Sequence, residues 1–80
     1  MYYVYILRSE SSREQTYIGF TMDLRKRLKV HNDGGNPHTL KFRPWNLIFY
    51  SAFENKERAL EFERYLKTHS GKAFTVKHLI

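Results

Sequence analysis

The chain has 80 residues, 41% hydrophobic and 16% aromatic, which predicts a single domain, residues 1–80, with a globular fold rather than a disordered one. It has no cysteine, no signal peptide and no apolar run near the ~20 residues of a membrane span, so we expect a cytoplasmic protein without disulfides or a membrane partner. The 14 Lys and Arg outnumber the 8 Asp and Glu, and the formal net charge of +6 favours a polyanion such as nucleic acid.

Two strands are predicted at the start of the chain. Residues 2–7 alternate from one side-chain face to the other, which is the two-residue period of a strand. Polar residues 9–15 suit a hairpin connection to a second strand that ends at Gly19. Strands joined by so short a connection pair antiparallel.

A helix and a third strand follow. Thr21 or Asp23 can cap a helix that runs to about Asn32, and residues 33–44 form a polar loop. Residues 45–53 are predicted to form a strand in which one face carries the alternate apolar residues Trp45, Leu47 and Phe49.

Two further helices complete the chain. Asn55 can cap a helix that continues through His69, where Ser70-Gly71 is predicted to break it, and residues 72–79 form a short terminal helix. The order β-β-α-β-α-α predicts an α+β fold, with a small three-stranded antiparallel sheet flanked by helices.

Two polar residues fall on the apolar face of the first helix. Each helical residue advances about 100° around the helix axis. With Leu24 at zero, Arg27 therefore lies at about 300° and His31 at about 340°. Arg27 therefore requires an anionic or polar partner. His31 has two interpretations, a hydrogen-bonded core histidine or a proton acceptor. The other basic residues of this helix point away from the stripe: Arg25, Lys26 and Lys29.

One glutamate of the second helix falls on its apolar face. Glu63 shares the stripe of Ala59 and Leu66, whereas Glu61 lies on the opposite side. A carboxylate in this position is either paired with a basic residue or binds a cation. Glu63 therefore either forms a salt bridge with Arg27 or binds a metal ion, and the sequence leaves both alternatives open.

The tripeptides Tyr3-Val4-Tyr5 and Tyr17-Ile18-Gly19 resemble those of the GIY-YIG nuclease family, which is named after two such tripeptides on neighbouring strands. Tyr3 and Val4 replace the glycine and isoleucine of the first family tripeptide, and these replacements affect strand packing more than chemistry. Family members keep a tyrosine on each of the first two strands, an arginine in the first helix and a glutamate in the second. The matching positions here are Tyr5, Tyr17, Arg27 and Glu63.

Other segments resemble particular branches of that family. Residues 17–21, His31-Asn32 and Pro44-Trp45 look like the catalytic subunit of structure-selective endonucleases that cut branched DNA. Residues 70–74 resemble small stand-alone bacterial members of the excinuclease-like type. The resemblance thus implies a metal-dependent endonuclease that hydrolyses DNA phosphodiester bonds, with structure-selective cleavage in DNA repair or recombination.

The resemblance also implies roles for the matching residues. Glu63 is expected to hold Mg²⁺ or Mn²⁺, Arg27 to contact the phosphate, Tyr5 to act on the attacking water and Tyr17 to orient phosphate or water. A phenol with a pKa near ~10 is a poor base at neutral pH, so neighbouring cations are expected to lower the pKa of Tyr5. Two interpretations of His31, one turn beyond Arg27, stay open: it accepts the proton from Tyr5 or acts as the base itself, or it is a hydrogen-bonded histidine beside the core.

The remaining basic residues are interpreted as non-specific phosphate contacts: Arg25, Lys26, Lys29, Lys41 and Arg43. Tyr2 and Tyr3 are interpreted as core residues in preference to stacking on an unpaired base. DNA is the expected partner, and a targeting protein or DNA shape could supply specificity. The competing interpretations are a nucleic-acid-binding module without turnover and a protein-interaction domain with a structural Arg–Glu pair.

Overall fold

The computed structural model describes all of residues 1–80 and contains one three-stranded antiparallel sheet. Its strands are β1 (Tyr2–Ser9), β2 (Thr16–Thr21) and β3 (Trp45–Phe53). The strand order is β2-β1-β3, so β1 is central and β2 forms an edge. The predicted α+β class and the order β-β-α-β-α-α are confirmed.

Three helices flank the sheet: α1 (Leu24–Asn32), α2 (Lys56–Leu66) and α3 (His69–His78). Asp23 and Asn55 cap the first two, each accepting from the backbone N–H three residues later at 3.1 Å. Such a bond satisfies an N–H that has no partner within the helix, which fixes where the helix begins. No helix of this fold combines the length and the apolar character needed to span a membrane.

The break between the last two helices lies earlier than predicted. Thr68 caps α3 by accepting from the backbone N–H of Gly71 at 3.0 Å, and its hydroxyl donates to the Tyr65 carbonyl at 2.6 Å. The prediction that Ser70-Gly71 ends the second helix was therefore wrong, since both residues lie in the first turn of α3. Gly71 instead permits close packing, because a Cβ there would lie 1.8 Å from the Tyr65 carbonyl oxygen.

A β-bulge in β3 changes which side chains share a face. Ile6 pairs with Phe49 while Leu7 pairs with Leu47, so Ile48 is the additional residue. Trp45 and Leu47 pack on one side of the sheet and Phe49 on the other. The predicted simple alternation through Phe49 was wrong because a bulge shifts the period by one residue.

The sheet has a separate apolar cluster on each face. Val4 and Ile6 of β1 are buried against Ala59 and Leu66 of α2. On the other face, the buried residues are Tyr5, Leu7 and Trp45, and the leucines of α1 pack against them. Tyr5 is thus placed on the face that α1 covers.

Candidate active site

A buried hydrogen-bond chain links β1 to α1 and to the loop that follows α1. The Tyr5 hydroxyl lies 2.9 Å from His31 Nε2, and His31 Nδ1 lies 2.8 Å from the Thr39 hydroxyl. Thr39 in turn donates to the carbonyl of Asn36 at 3.3 Å. Because the single hydroxyl hydrogen of Thr39 is used in that bond, we assign the proton of neutral His31 to Nδ1. Nε2 then accepts from Tyr5.

Thr39 was not singled out by the sequence. It is fully buried although it lies in the polar segment that was predicted only as a loop. The same residue accepts from the Trp45 indole N–H through its backbone carbonyl, at 2.8 Å. Loop residues carry no periodic signal, so the only hint in the sequence was a threonine eight residues after His31.

Gly19 gives the Tyr5 ring its position. The two residues are directly paired across β1 and β2, and a Cβ on Gly19 would lie 2.3 Å from the Tyr5 hydroxyl oxygen. The ring therefore lies across the backbone of the edge strand. The glycine of Tyr17-Ile18-Gly19 thus allows the hydroxyl of a central-strand residue to reach the edge of the sheet.

Tyr17 and Arg27 border the Tyr5–His31 pair. The Tyr17 ring centroid lies 4.8 Å from that of His31 and 6.4 Å from that of Tyr5. Arg27 is half-buried, and its interaction with the Tyr5 hydroxyl raises the pKa of the guanidinium. The Nε of Arg27 is buried and has no hydrogen-bond partner. A buried donor without a partner is suited to an anionic ligand.

Burial shifts the protonation equilibria of Tyr5 and His31 in opposite directions. It raises the pKa of the Tyr5 phenol, and the opposing effect of Arg27 is smaller. Burial and then the Arg27 charge lower the pKa of His31. The expectation that neighbouring cations lower the pKa of Tyr5 was wrong, because desolvation of the phenolate outweighs their attraction. At neutral pH Tyr5 is thus protonated and His31 is a neutral acceptor.

Glu63 approaches from the helix on the opposite face of the sheet. Its side chain is 17% exposed, and Lys67 Nζ donates to its Oε2 at 3.1 Å, one turn along α2. The Arg27–Glu63 salt bridge is not formed, since the two ion pairs of the structure are Lys67–Glu63 and Lys29–Asp33. The negative charge of Glu63 contributes to the raised pKa of Tyr5. Glu61 is exposed.

The donor set around Glu63 restricts what metal site this chain can form. No group of three or more His, Cys, Asp or Glu residues is close enough to hold a metal ion. Mg²⁺ in phosphoryl-transfer sites is commonly held by one or two carboxylates, with water and substrate phosphate as the other ligands. A single half-buried carboxylate therefore fits a cation whose coordination the substrate completes.

The basic residues predicted to bind nucleic acid are all exposed: Arg25, Lys26, Lys29, Lys41 and Arg43. Three of them have partners within the chain. Lys29 pairs with Asp33, Lys41 lies 5.5 Å from the centroid of the Phe42 ring, and Arg43 Nε donates to the Leu40 carbonyl at 3.2 Å.

Lys26 is placed beside Arg27. The two residues line a cavity of about 180 Å³ between α1 and the end of β2, with Thr21, Asp23 and Val30 as the other walls. The structure thus brings Tyr5, Tyr17, Arg27 and His31 together, and Lys26 lines the same cavity as Arg27. Lys41 and Arg43 belong to the separate loop after α1.

Comparisons with known proteins show the family to which this chain belongs. The family model described as the GIY-YIG catalytic domain matches residues 1–77. A UPF0213 protein of Clostridium perfringens is 43% identical over 68 residues, which cover 84% of this chain and 71% of that protein. The UPF0213 protein YazA of Bacillus subtilis is 48% identical over 52 residues, which cover 64% of this chain and 52% of YazA. The match thus spans about half of YazA.

A solved structure is similar along almost the whole chain. The solution NMR structure of a UPF0213 protein from Bacillus halodurans has a TM-score of 0.57 and 33% sequence identity. The alignment covers 96% of this chain and 84% of that protein.

Proposed function

This chain belongs to the GIY-YIG family, and we propose that it is an endonuclease that hydrolyses DNA phosphodiester bonds. One observation carries the proposal. A neutral histidine accepts a hydrogen bond from the Tyr5 hydroxyl, beside an arginine whose buried Nε has no partner. Phosphodiester hydrolysis needs an activated water and a donor for the anionic phosphate, and these residues can supply both.

Arg27 is proposed to bind the scissile phosphate. Its planar guanidinium matches the geometry of two phosphate oxygens, and the donors are stronger in a partly desolvated position. Because no carboxylate pairs with Arg27, no internal ion pair has to break when DNA binds.

Tyr5 and His31 are proposed to activate the attacking water together. His31 is fully buried and its Nε2 is occupied by the Tyr5 hydroxyl, so the proposed proton path to His31 runs through that hydroxyl. Tyr5 takes a proton from the water while its own proton passes to His31 Nε2, which leaves Tyr5 neutral and His31 as an imidazolium. The Thr39 hydroxyl accepts from Nδ1 and holds the ring in the required tautomer. Tyr17 is assigned to orienting the water or the phosphate.

Glu63 is the residue proposed to hold a divalent cation, Mg²⁺ or Mn²⁺. When bound, such a cation supplies Lewis acidity toward the phosphate and charge stabilisation at the departing alkoxide. Lys67 would have to release the Glu63 carboxylate, and because the lysine side chain is 55% exposed, water can solvate its ammonium group once it is released.

The substrate is proposed to be DNA of particular structure, with a role in DNA repair or recombination. Exposed basic side chains would contact phosphates without reading sequence: Arg25, Lys26, Lys29, Lys41 and Arg43. With 80 residues the chain has little additional surface for sequence recognition, so DNA shape or a targeting protein partner would select the site.

A cleavage assay tests the proposal. Purified protein is incubated with linear, flapped and branched DNA in Mg²⁺, Mn²⁺ or EDTA. We expect products in either metal, none in EDTA, and a loss of about 100-fold or more in rate for Arg27→Ala. Arg58→Ala, at an exposed arginine of α2 to which no role is assigned, is the matched control and should cleave at nearly the parental rate. Equal effects of the two substitutions would contradict the role of Arg27.

A second candidate function is a nucleic-acid-binding module without turnover. The observation that favours it is the pairing of Glu63 with Lys67 in a site that has no second carboxylate. Salt-sensitive DNA binding with no product in any metal would support this candidate and exclude the nuclease.

A further inference from the structure

A cavity separate from the Tyr5–His31 pair opens on the α1 face of the sheet. It has a volume of about 400 Å³, and its walls include Tyr3, Tyr50, Met22, Asp23 and Arg25. Because α1 has only nine residues, it leaves this end of β1 and β3 uncovered. Tyr50 is 55% exposed and Met22 is 65% exposed, so the apolar wall is open to solvent.

The two tyrosines of this cavity pack edge to face. Their ring centroids are 6.2 Å apart with an angle of 62° between the rings, so the edge of one ring supports the other. A supported but exposed tyrosine ring is the type of surface on which nucleobases stack, since every base has an aromatic face. Tyr3, interpreted from the sequence as a core residue, therefore has a second role available.

The charged groups of this cavity suit a nucleotide. Arg25 is exposed and forms no ion pair, so it can contact a backbone phosphate. Asp23 accepts from the Lys26 backbone N–H with Oδ1 only, which leaves Oδ2 as an acceptor for the amino group of a base. As the N-cap of α1, Asp23 is also partly neutralised by the helix N-terminus.

The cavity lies next to the proposed phosphate site. Asp23 lines this cavity and also the smaller one that contains Arg27 and Lys26. A nucleotide in the larger cavity would therefore neighbour a phosphate bound by Arg27. The faces of a base within a duplex are covered by its neighbours, so only an unpaired or displaced base can stack on Tyr50.

We propose that this cavity binds an unpaired nucleobase of the DNA substrate, stacked on Tyr50 with its phosphate on Arg25. The proposal rests on the proposed function and adds the feature of the DNA substrate that the enzyme would recognise. The enzyme would select DNA with single-stranded character next to the cleaved bond.

The test measures binding in EDTA, so that it does not depend on cleavage. A single-stranded oligonucleotide with 2-aminopurine is titrated with protein, and its fluorescence should be quenched as the base stacks. Tyr50→Ala should weaken binding about tenfold and abolish the quenching. Tyr50→Phe keeps the aromatic face and should bind like the parent. Tyr65→Ala, at a 41% exposed tyrosine of α2, is the control and should also bind like the parent.

Parental binding and quenching by Tyr50→Ala would overturn the proposal and leave the nuclease activity unaffected. Quenching lost in Tyr50→Ala in a protein that cleaves no DNA would retain the base site and overturn the proposed function instead. A concentration-dependent dimer of the parent that Tyr50→Ala abolishes, with DNA binding unchanged, would assign this surface to a second copy of the chain.

Discussion

Tyr5 is constrained by Gly19 beneath its ring and by His31 at its hydroxyl. The sequence could predict that Tyr5 lies on a strand and Gly19 on its neighbour. The register that pairs the two residues, and the space that Gly19 leaves for the ring, depend on tertiary structure. The glycine of Tyr17-Ile18-Gly19 is thus explained sterically, because a larger residue would collide with the Tyr5 ring.

A methyl group at Gly19 should disrupt the site. Gly19→Ala places a Cβ within 2.3 Å of the Tyr5 hydroxyl oxygen, so the ring must move away from His31. We expect the free energy of unfolding to fall by about 1–3 kcal/mol. The cleavage rate should fall by a factor of roughly 10²–10⁴. Urea unfolding and single-turnover cleavage measure the two effects.

Gly35→Ala is the matched control for that substitution. Its Cβ would lie 3.1 Å from a methyl group of Val30, which can shift slightly. This variant should retain both stability and activity. A Gly19→Ala protein that cleaves at the parental rate would show that the position of the Tyr5 ring is not critical.

His31 should make stability depend on pH below about 6.5. Burial lowers the pKa of His31 from 6.5, so below that value the unfolded chain binds a proton that the folded chain resists. The free energy of unfolding should therefore fall as pH decreases through 6.5 toward the lowered folded pKa, with no contribution from His31 at higher pH. Urea unfolding from pH 5 to 8 measures this slope.

His31→Gln should reduce the slope, and it should cost about 1–3 kcal/mol at pH 7.5 because Tyr5 and Thr39 lose their partner. His38→Gln, at an exposed loop histidine, is the control for the loss of an imidazole and should retain the parental free energy of unfolding at pH 7.5. The same slope in His31→Gln and the parent would assign the acid sensitivity to other groups.

At the scale of elements, side-chain periodicity predicted the helices better than the segments between them. Helix phasing placed His31 and Glu63 on inward faces because rotation per residue is nearly constant along a helix. The bulge at Ile48 and the cap at Thr68 were missed, since each is a single-residue event that leaves the average pattern unchanged. The hydrogen bond between Thr39 in the loop and His31 could be identified only in the folded structure.

Glu63 and Glu61 of α2 allow the carboxylate proposed to bind the cation to be compared with an exposed one. Glu63→Gln removes the charge that a divalent cation needs, and we expect cleavage to fall about a hundredfold or more. DNA binding should persist or tighten, because a negative charge near the phosphate is removed. Metal-dependent cleavage and binding in EDTA measure the two properties.

Glu61→Gln is the control, two residues away and exposed on the same helix. It should cleave like the parent. Equal losses in the two variants, or a larger loss in Glu61→Gln, would place the cation site elsewhere than Glu63.

At the scale of the whole molecule, composition predicted the charge but not its distribution. A net charge of +6 follows from the sequence, whereas the open wall at Tyr50 depends on how far the short helix α1 extends over the sheet. Strand alternation assigns Tyr50 to a face and does not reveal whether a helix covers it. The aromatic cavity therefore emerged only from the fold.

The outward face of α1 should account for much of the salt dependence of DNA binding. Replacing Arg25, Lys26 and Lys29 together by alanine removes three of the six net positive charges. If all three contact phosphates, the slope of log K against log salt should become shallower by about 2 to 3, since each contact contributes roughly 0.9 on duplex DNA. Lys29 pairs with Asp33, so its share should be the smallest. Lys56, Lys72 and Lys77, exposed on α2 and α3, form the control triple. Their replacement lowers net charge equally, so an equal change in slope would mean that total charge, not the α1 surface, directs DNA binding.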